Sequence, residues 1–155
     1  MTFERSRTAR FAGVIVLAAS AALGAGCGGS SNPTTVTAPT GNLTTDTFNG
    51  TLNPPVNGQF QANVHTFNIA TSGGNITITL VSAGPPPTIQ LGLGLGNPSS
   101  TGTCSIISGF TTQTSAGSTS QLGASGAPSG AYCVVVADVG NVLQPVSYTV
   151  TVAHL

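Results

Sequence analysis

Two runs in this 155-residue chain, Asn75-Ile-Thr-Ile-Thr-Leu80 and Ser147-Tyr-Thr-Val-Thr-Val152, alternate apolar and hydroxyl side chains with a period of two. That period belongs to the β-strand, because successive side chains leave a pleated backbone on opposite faces. In the first run Ile76, Ile78 and Leu80 share one face, and Thr77 and Thr79 share the other. In the second, Tyr148, Val150 and Val152 oppose Thr149 and Thr151. Each run therefore predicts a strand with one dry and one wet face. The segment Thr88-Ile-Gln-Leu-Gly-Leu-Gly-Leu95 alternates too, with Ile89, Leu91, Leu93 and Leu95 on one side and glycines at 92, 94 and 96 on the other. Those glycines admit two readings: a bend or bulge, which is the simpler, or close approach of another backbone or a flat ligand.

Ala131-Tyr-Cys-Val-Val-Val-Ala137 is apolar on both parities, which predicts a central strand buried on both sides. Further strands are expected near residues 44–52, 64–70, 103–107 and 118–122, separated by Gly, Pro and Asn clusters. Ser, Thr, Asn and Gly abound and are poor helix formers, whereas Thr suits strands. About eight such strands predict an all-β fold, a jelly-roll-like antiparallel β-sandwich. No internal repeat is evident.

Charge is very unevenly placed along the chain. Glu4, Arg5, Arg7 and Arg10 precede Cys27; beyond it the ionisable acids are Asp46 and Asp138, with no Lys or Arg. Nucleic-acid binding depends on cationic side chains displacing counterions from phosphates, so no nucleic-acid partner is expected. Phosphate-rich ligands are disfavoured for the same reason.

The apolar run Phe11 to Leu23 follows those arginines and is shorter than the roughly 20 residues that cross a bilayer core. A basic start, an apolar middle and small residues before a boundary describe a secretory signal peptide. Gly24-Ala-Gly26-Cys27-Gly-Gly29 also fits the dinucleotide-binding G-x-G-x-x-G pattern. Ser30-Ser-Asn-Pro-Thr-Thr35 follows it in place of the helix that such a site needs. Leu23-Gly24-Ala25-Gly26-Cys27 resembles the lipobox of bacterial lipoproteins, which implies cleavage before Cys27 and lipid attachment to its thiol. Several acyl chains, at about 0.8 kcal/mol per buried methylene, anchor stably where one does not.

The expected organisation is a signal peptide over residues 1–26, lipidated Cys27 with a Gly/Ser/Thr/Pro linker over 27–43, and a β-sandwich over 44–155. The linker, as a flexible coil, would span roughly 20 Å. The expected location is the cell envelope, membrane-anchored on the extracytoplasmic side. In a cell with two membranes the outer one is expected, since Gly28 stands where aspartate commonly signals inner-membrane retention.

His65-Thr-Phe-Asn-Ile-Ala-Thr-Ser-Gly-Gly-Asn-Ile-Thr-Ile-Thr-Leu80, with Gly130-Ala-Tyr-Cys-Val-Val-Val136 and Tyr148-Thr-Val-Thr-Val152, resembles the bacterial pre-peptidase C-terminal domain. The resemblance covers roughly residues 60–153 and implies a small jelly-roll-like sandwich of the kind attached to exported proteins. It also implies core positions at Phe67, Ile78, Leu80, Tyr132 and Tyr148. Some relatives bind calcium. None is expected here, nor any other metal or cofactor, because Ca²⁺ takes roughly six to eight oxygen ligands and usually several carboxylates.

With Cys27 assigned to lipid, Cys104 and Cys133 remain, and an even remainder outside the cytoplasm predicts one disulfide. A metal site is the weaker reading, as two cysteines without a nearby histidine lack ligands. No enzymatic activity is expected: His154 adjoins the C-terminus, His65 begins a strand, and no nucleophile elbow exposes a serine. Asp138, in Ala137-Asp-Val-Gly140, reads as a turn aspartate. The expected role is a non-catalytic module for protein interaction or envelope structure. The alternative is carbohydrate binding, with Phe48 and Phe60 as candidate ligand contacts because sugars stack on aromatic faces.

Overall fold

The computed structural model describes residues 41–155, which form two four-stranded antiparallel sheets. In chain order the strands are β1 Thr44–Leu52, β2 Ala62–Ile69, β3 Gly74–Gly84, β4 Gln90–Pro98, β5 Cys104–Ser115, β6 Leu122–Ala127, β7 Gly130–Asp138 and β8 Val146–His154. One sheet has the order β1-β8-β3-β6 and the other β2-β7-β4-β5. Apart from the β4–β5 hairpin, every connection changes sheet, which is the strand order of an eight-stranded jelly roll. The signal peptide, Cys27 and all of the linker up to residue 40 lie outside the described residues.

The alternating runs fold as their period dictates. Ile76, Ile78 and Leu80 of β3 and Tyr148, Val150 and Val152 of β8 are buried in one core with Phe67, Leu91, Leu93, Leu95, Tyr132, Val134 and Val136 of the facing sheet. Burial of each such side chain stabilises the fold by about 1.5–3 kcal/mol. Phe67, Ile78, Leu80, Tyr132 and Tyr148 are all among these core residues.

Three expectations need correction. β5 runs on to Ser115, well past residue 107, because Gly109 at φ 84° carries a break that the strand then outruns. Residues 118–121 are loop, and the strand near them is Leu122–Ala127. Its Leu-Gly-Ala-Ser-Gly-Ala sequence has little intrinsic strand preference and is recruited by pairing with β3, Ile76 opposite Ala124 and Ile78 opposite Leu122. β7 is central, between β2 and β4, but its outer face is only partly dry: Cys133 is buried, whereas Val135 and Ala137 are half-covered. Their partners on β4 are Gly94 and Gly92, which have no side chains to cover them.

The β4 glycines mark a close approach, and the bulge beside them is carried by the partner strand, where residues 107–110 of β5 stand against Leu95 alone. The β4–β5 register shifts between Gly94 and Gly96. A methyl on Gly96 would clash with the Ser105 carbonyl and come within 2.9 Å of Cys104 Sγ.

Candidate functional site

Strands β1 and β2 are edge strands of opposite sheets, and the seam between them gathers most of the titratable side chains of the described residues. Phe48 of β1 stacks on His65 of β2, with ring centroids 4.9 Å apart and planes inclined by 16°. His65 Nε2 lies 2.8 Å from the Tyr148 hydroxyl of β8. Burial holds the His65 imidazole below its usual pKa and the Tyr148 phenol above its own, with the Asn63 side chain acting the other way on Tyr148.

Farther along the seam, His154 Nε2 lies 3.0 Å from Asp46 Oδ2. Register places His154 opposite Thr44 and Val152 opposite Asp46, so the pair is a cross-strand diagonal on the inward face. The His154 ring sits 5.3 Å from that of Phe67 and is buried, while Asp46 is partly open. A shallow groove of about 570 Å³ runs beside them, lined also by Thr66, Asn68 and Ala131.

Sequence reasoning missed this His–Asp pair, because nothing local announces that the first strand lies beside the last. Chemically it is a dyad without a third member. The imidazole's other nitrogen, Nδ1, faces the Leu155 carbonyl at 3.3 Å. Asp46 and Leu155 are the hydrogen-bond partners of His154 among the described residues, and neither is a nucleophile that it could activate.

The two candidate aromatic contacts are held apart. Phe48 is half-buried in the seam with one face occupied by His65. Phe60 lies on the β1–β2 loop and is 61% exposed. An Asn57-Gly58 turn, both residues at positive φ, projects that loop, and Val56 bridges to Gln59 across it. Phe60 is flanked by Val56, Asn57, Gln59 and Gln61, an apolar ring among amides. Gln61 secures the loop, its side-chain oxygen accepting from the Asn53 N–H and its carbonyl from the Asp138 N–H.

The β7–β8 loop adjoins it, with Gly140 against the Phe60 ring. Asp138 Oδ1 shapes that loop by accepting from three backbone N–H groups, those of Gly140, Asn141 and Val142, at 2.7, 3.0 and 3.2 Å. Asp138 is thus the turn aspartate that its neighbours suggested. Leu143, in the same loop, is 88% exposed and lines a hollow with Pro85, Pro86 and Ile89. Val56, Phe60 and Leu143 therefore crown the end of the sandwich opposite the one where the chain enters β1 at Thr44.

On the outer face of the second sheet, Cys104 and Cys133 stand within disulfide-bonding reach of each other. The pair joins the start of β5 to β7 across Gly96 of β4. No group of three or more His, Cys, Asp or Glu side chains that could hold a metal occurs among the described residues. Compared with protein-family models and with curated proteins, the chain matches none.

Proposed function

We propose that this protein is an exported, lipid-anchored, non-catalytic β-sandwich that acts in the envelope as a protein-interaction module. The observation that carries the reading is the loop end: Val56, Phe60 and Leu143 present apolar surface there, on loops fixed by Gln61 and Asp138. Exposed aromatic and aliphatic side chains on rigid supports are what a protein partner buries at the centre of an interface. The chain enters the sandwich at the other end, at Thr44. The strand pattern resembling the pre-peptidase C-terminal domain accords with an accessory role. That His154 has both ring nitrogens engaged supports a non-catalytic seam.

A second reading is favoured by Phe60 alone. An exposed ring bordered by Asn57, Gln59 and Gln61 has the apolar face and the amide donors and acceptors that a neutral sugar requires.

The test is in-cell crosslinking of the full-length protein, with Phe60→Ser/Leu143→Ser compared against wild type. A discrete crosslinked species that the double variant loses while remaining folded supports the interaction module. Glycan-array binding abolished by Phe60→Ala supports the second reading, and a double variant that crosslinks like wild type overturns the first. Fractionation tests the anchor separately: Cys27→Ala is expected to move the protein from the membrane to the soluble envelope fraction.

A further inference from the structure

We propose that the outer face of the β1-β8-β3 sheet binds ordered water, the surface of an ice crystal. Thr47 of β1 pairs with Thr151 of β8, and Thr151 pairs with Thr79 of β3, so three threonines stand in one rank across three strands. Two residues along, the rank is Thr45, Ala153 and Thr77; in the other direction the β3 register shifts between Leu80 and Ser82, so the period ends there on β3, with exposed Val81 at the break and Ser82 opposite Thr149 and Asn49. Each strand thus carries threonine at alternate positions: 45 and 47, 149 and 151, 77 and 79. Their strand neighbours Phe48, Val150, Val152, Ile78 and Leu80 belong to the core, so the threonines point outward.

The result is a two-dimensional lattice. Neighbouring strands lie about 4.7–4.9 Å apart, and alternate residues along a strand repeat at about 6.6–6.8 Å. Repeats of similar size recur on the prism planes of hexagonal ice, whereas a dissolved ligand offers no such two-dimensional period. Threonine suits the task, because its stiff χ1 fixes a methyl and a hydroxyl together and the hydroxyl both donates and accepts. Cross-strand bonds hold the array, with Thr149 Oγ1 donating to Asn49 Oδ1 at 2.7 Å and Thr51 Oγ1 lying 3.4 Å from Ser147 Oγ. Sheet twist of roughly 20–25° per strand confines the match to these central ranks.

Two features select this occupant. The face carries no ionisable side chain: Asp46 turns inward to His154, and Asp138 is buried in its loop. A charged group would hold its own hydration shell and interrupt an ordered layer. The face also carries no aromatic ring, since Phe48 and Tyr148 point inward, so a sugar finds nothing to stack on.

The test is slow freezing of the full-length protein onto a cold finger, with albumin as a non-binding control. Wild type is expected to be enriched several-fold in the ice fraction relative to albumin. Thr151→Lys and Thr79→Lys are expected to fall to the albumin level. Gln113→Lys, on the exposed outer face of the other sheet opposite Gly92, adds the same charge and is expected to stay enriched. Circular dichroism reports whether each variant folds; if a lysine unfolds the chain, Thr151→Val, which keeps the shape and removes the hydroxyl, takes its place and is expected to lose enrichment. The proposal is overturned if wild type partitions like albumin, or if the folded face variants enter ice as wild type does. Equal loss in Gln113→Lys would assign the effect to net charge. Dimerisation dispersed by Thr151→Lys, without ice enrichment, would assign the face to a second copy of the chain.

Discussion

The ring of Tyr148 lies against Gly50, its cross-strand partner on β1. A methyl there would clash with the hydroxyl and sit within 2.9 Å of Cε1. The vacancy lets a side chain of one sheet pass beside the edge strand and reach His65 of the other sheet at 2.8 Å. Gly50 is thus a packing glycine at an ordinary φ, and its value lies in what it leaves out. Gly50→Ala is expected to displace Tyr148 and destabilise the fold by about 1–3 kcal/mol, the usual cost of overpacking. Urea denaturation with an unchanged midpoint would count against this arrangement.

The Cys104–Cys133 link closes a separation of 29 residues between β5 and β7. In the chain-entropy account a loop of that size contributes about 3–4 kcal/mol, which is a large part of the net stability of a domain this small. The Cys104→Ser/Cys133→Ser variant is expected to lose that amount in chemical denaturation. Thiol titration of the unfolded wild type should find neither of these cysteines reactive; titratable thiols at both positions would defeat the assignment.

How much of this was legible depended on the range of each signal. The alternation at Ile76-Thr-Ile-Thr-Leu80 is local and survives any topology, so β3, β7 and β8 could be placed from the sequence. Leu122 to Ala127 could not, because its strand character comes from pairing with β3 and not from its own residues. The same holds for the seam. Asp46 and His154 are 108 positions apart, and only the adjacency of β1 and β8 brings them to 3.0 Å. The threonine ranks divide along this line: that Thr77, Thr79, Thr149 and Thr151 face water is written in the period, but their alignment with Thr45 and Thr47 is a matter of register. Phe48 and Phe60 looked alike as candidate contacts, and burial separated them.

Asp138 supports the β7–β8 loop through one oxygen. With three backbone N–H groups converging on Oδ1, Asp138→Ala removes their shared acceptor and leaves the buried Val142 N–H without a partner, while Gly140 and Asn141 are open to water. One buried donor left unmet puts the expected loss at about 1–3 kcal/mol. Asp138→Asn keeps an acceptor in place and should cost less. Hydrogen exchange gives the local readout: the amides of Gly140, Asn141 and Val142 should lose protection in the alanine variant. If protection there persists, Oδ1 is not what orders the loop.

The seam also fixes the pH range over which the fold is most stable. Burial lowers the pKa of His65 from 6.5, so between that value and the lower folded one the unfolded chain binds the extra proton. The contribution of neutral His65 is therefore complete above pH 6.5 and fades as the pH falls through its folded pKa. Tyr148 has the opposite sign: burial raises its pKa from 10.0, so its contribution is complete below that pH and is lost as the pH climbs through the folded value. Melting temperature should accordingly be nearly flat between about pH 7 and 9.5 and decline on both sides. Because His65 is only partly buried, its share is small, and a paired comparison is needed to see it. His65→Asn removes the titrating group, so the difference between variant and wild-type melting temperatures should change between about pH 7 and 5, with the wild type falling more. Parallel acid limbs in the two proteins would show that His65 is not the source of the decline.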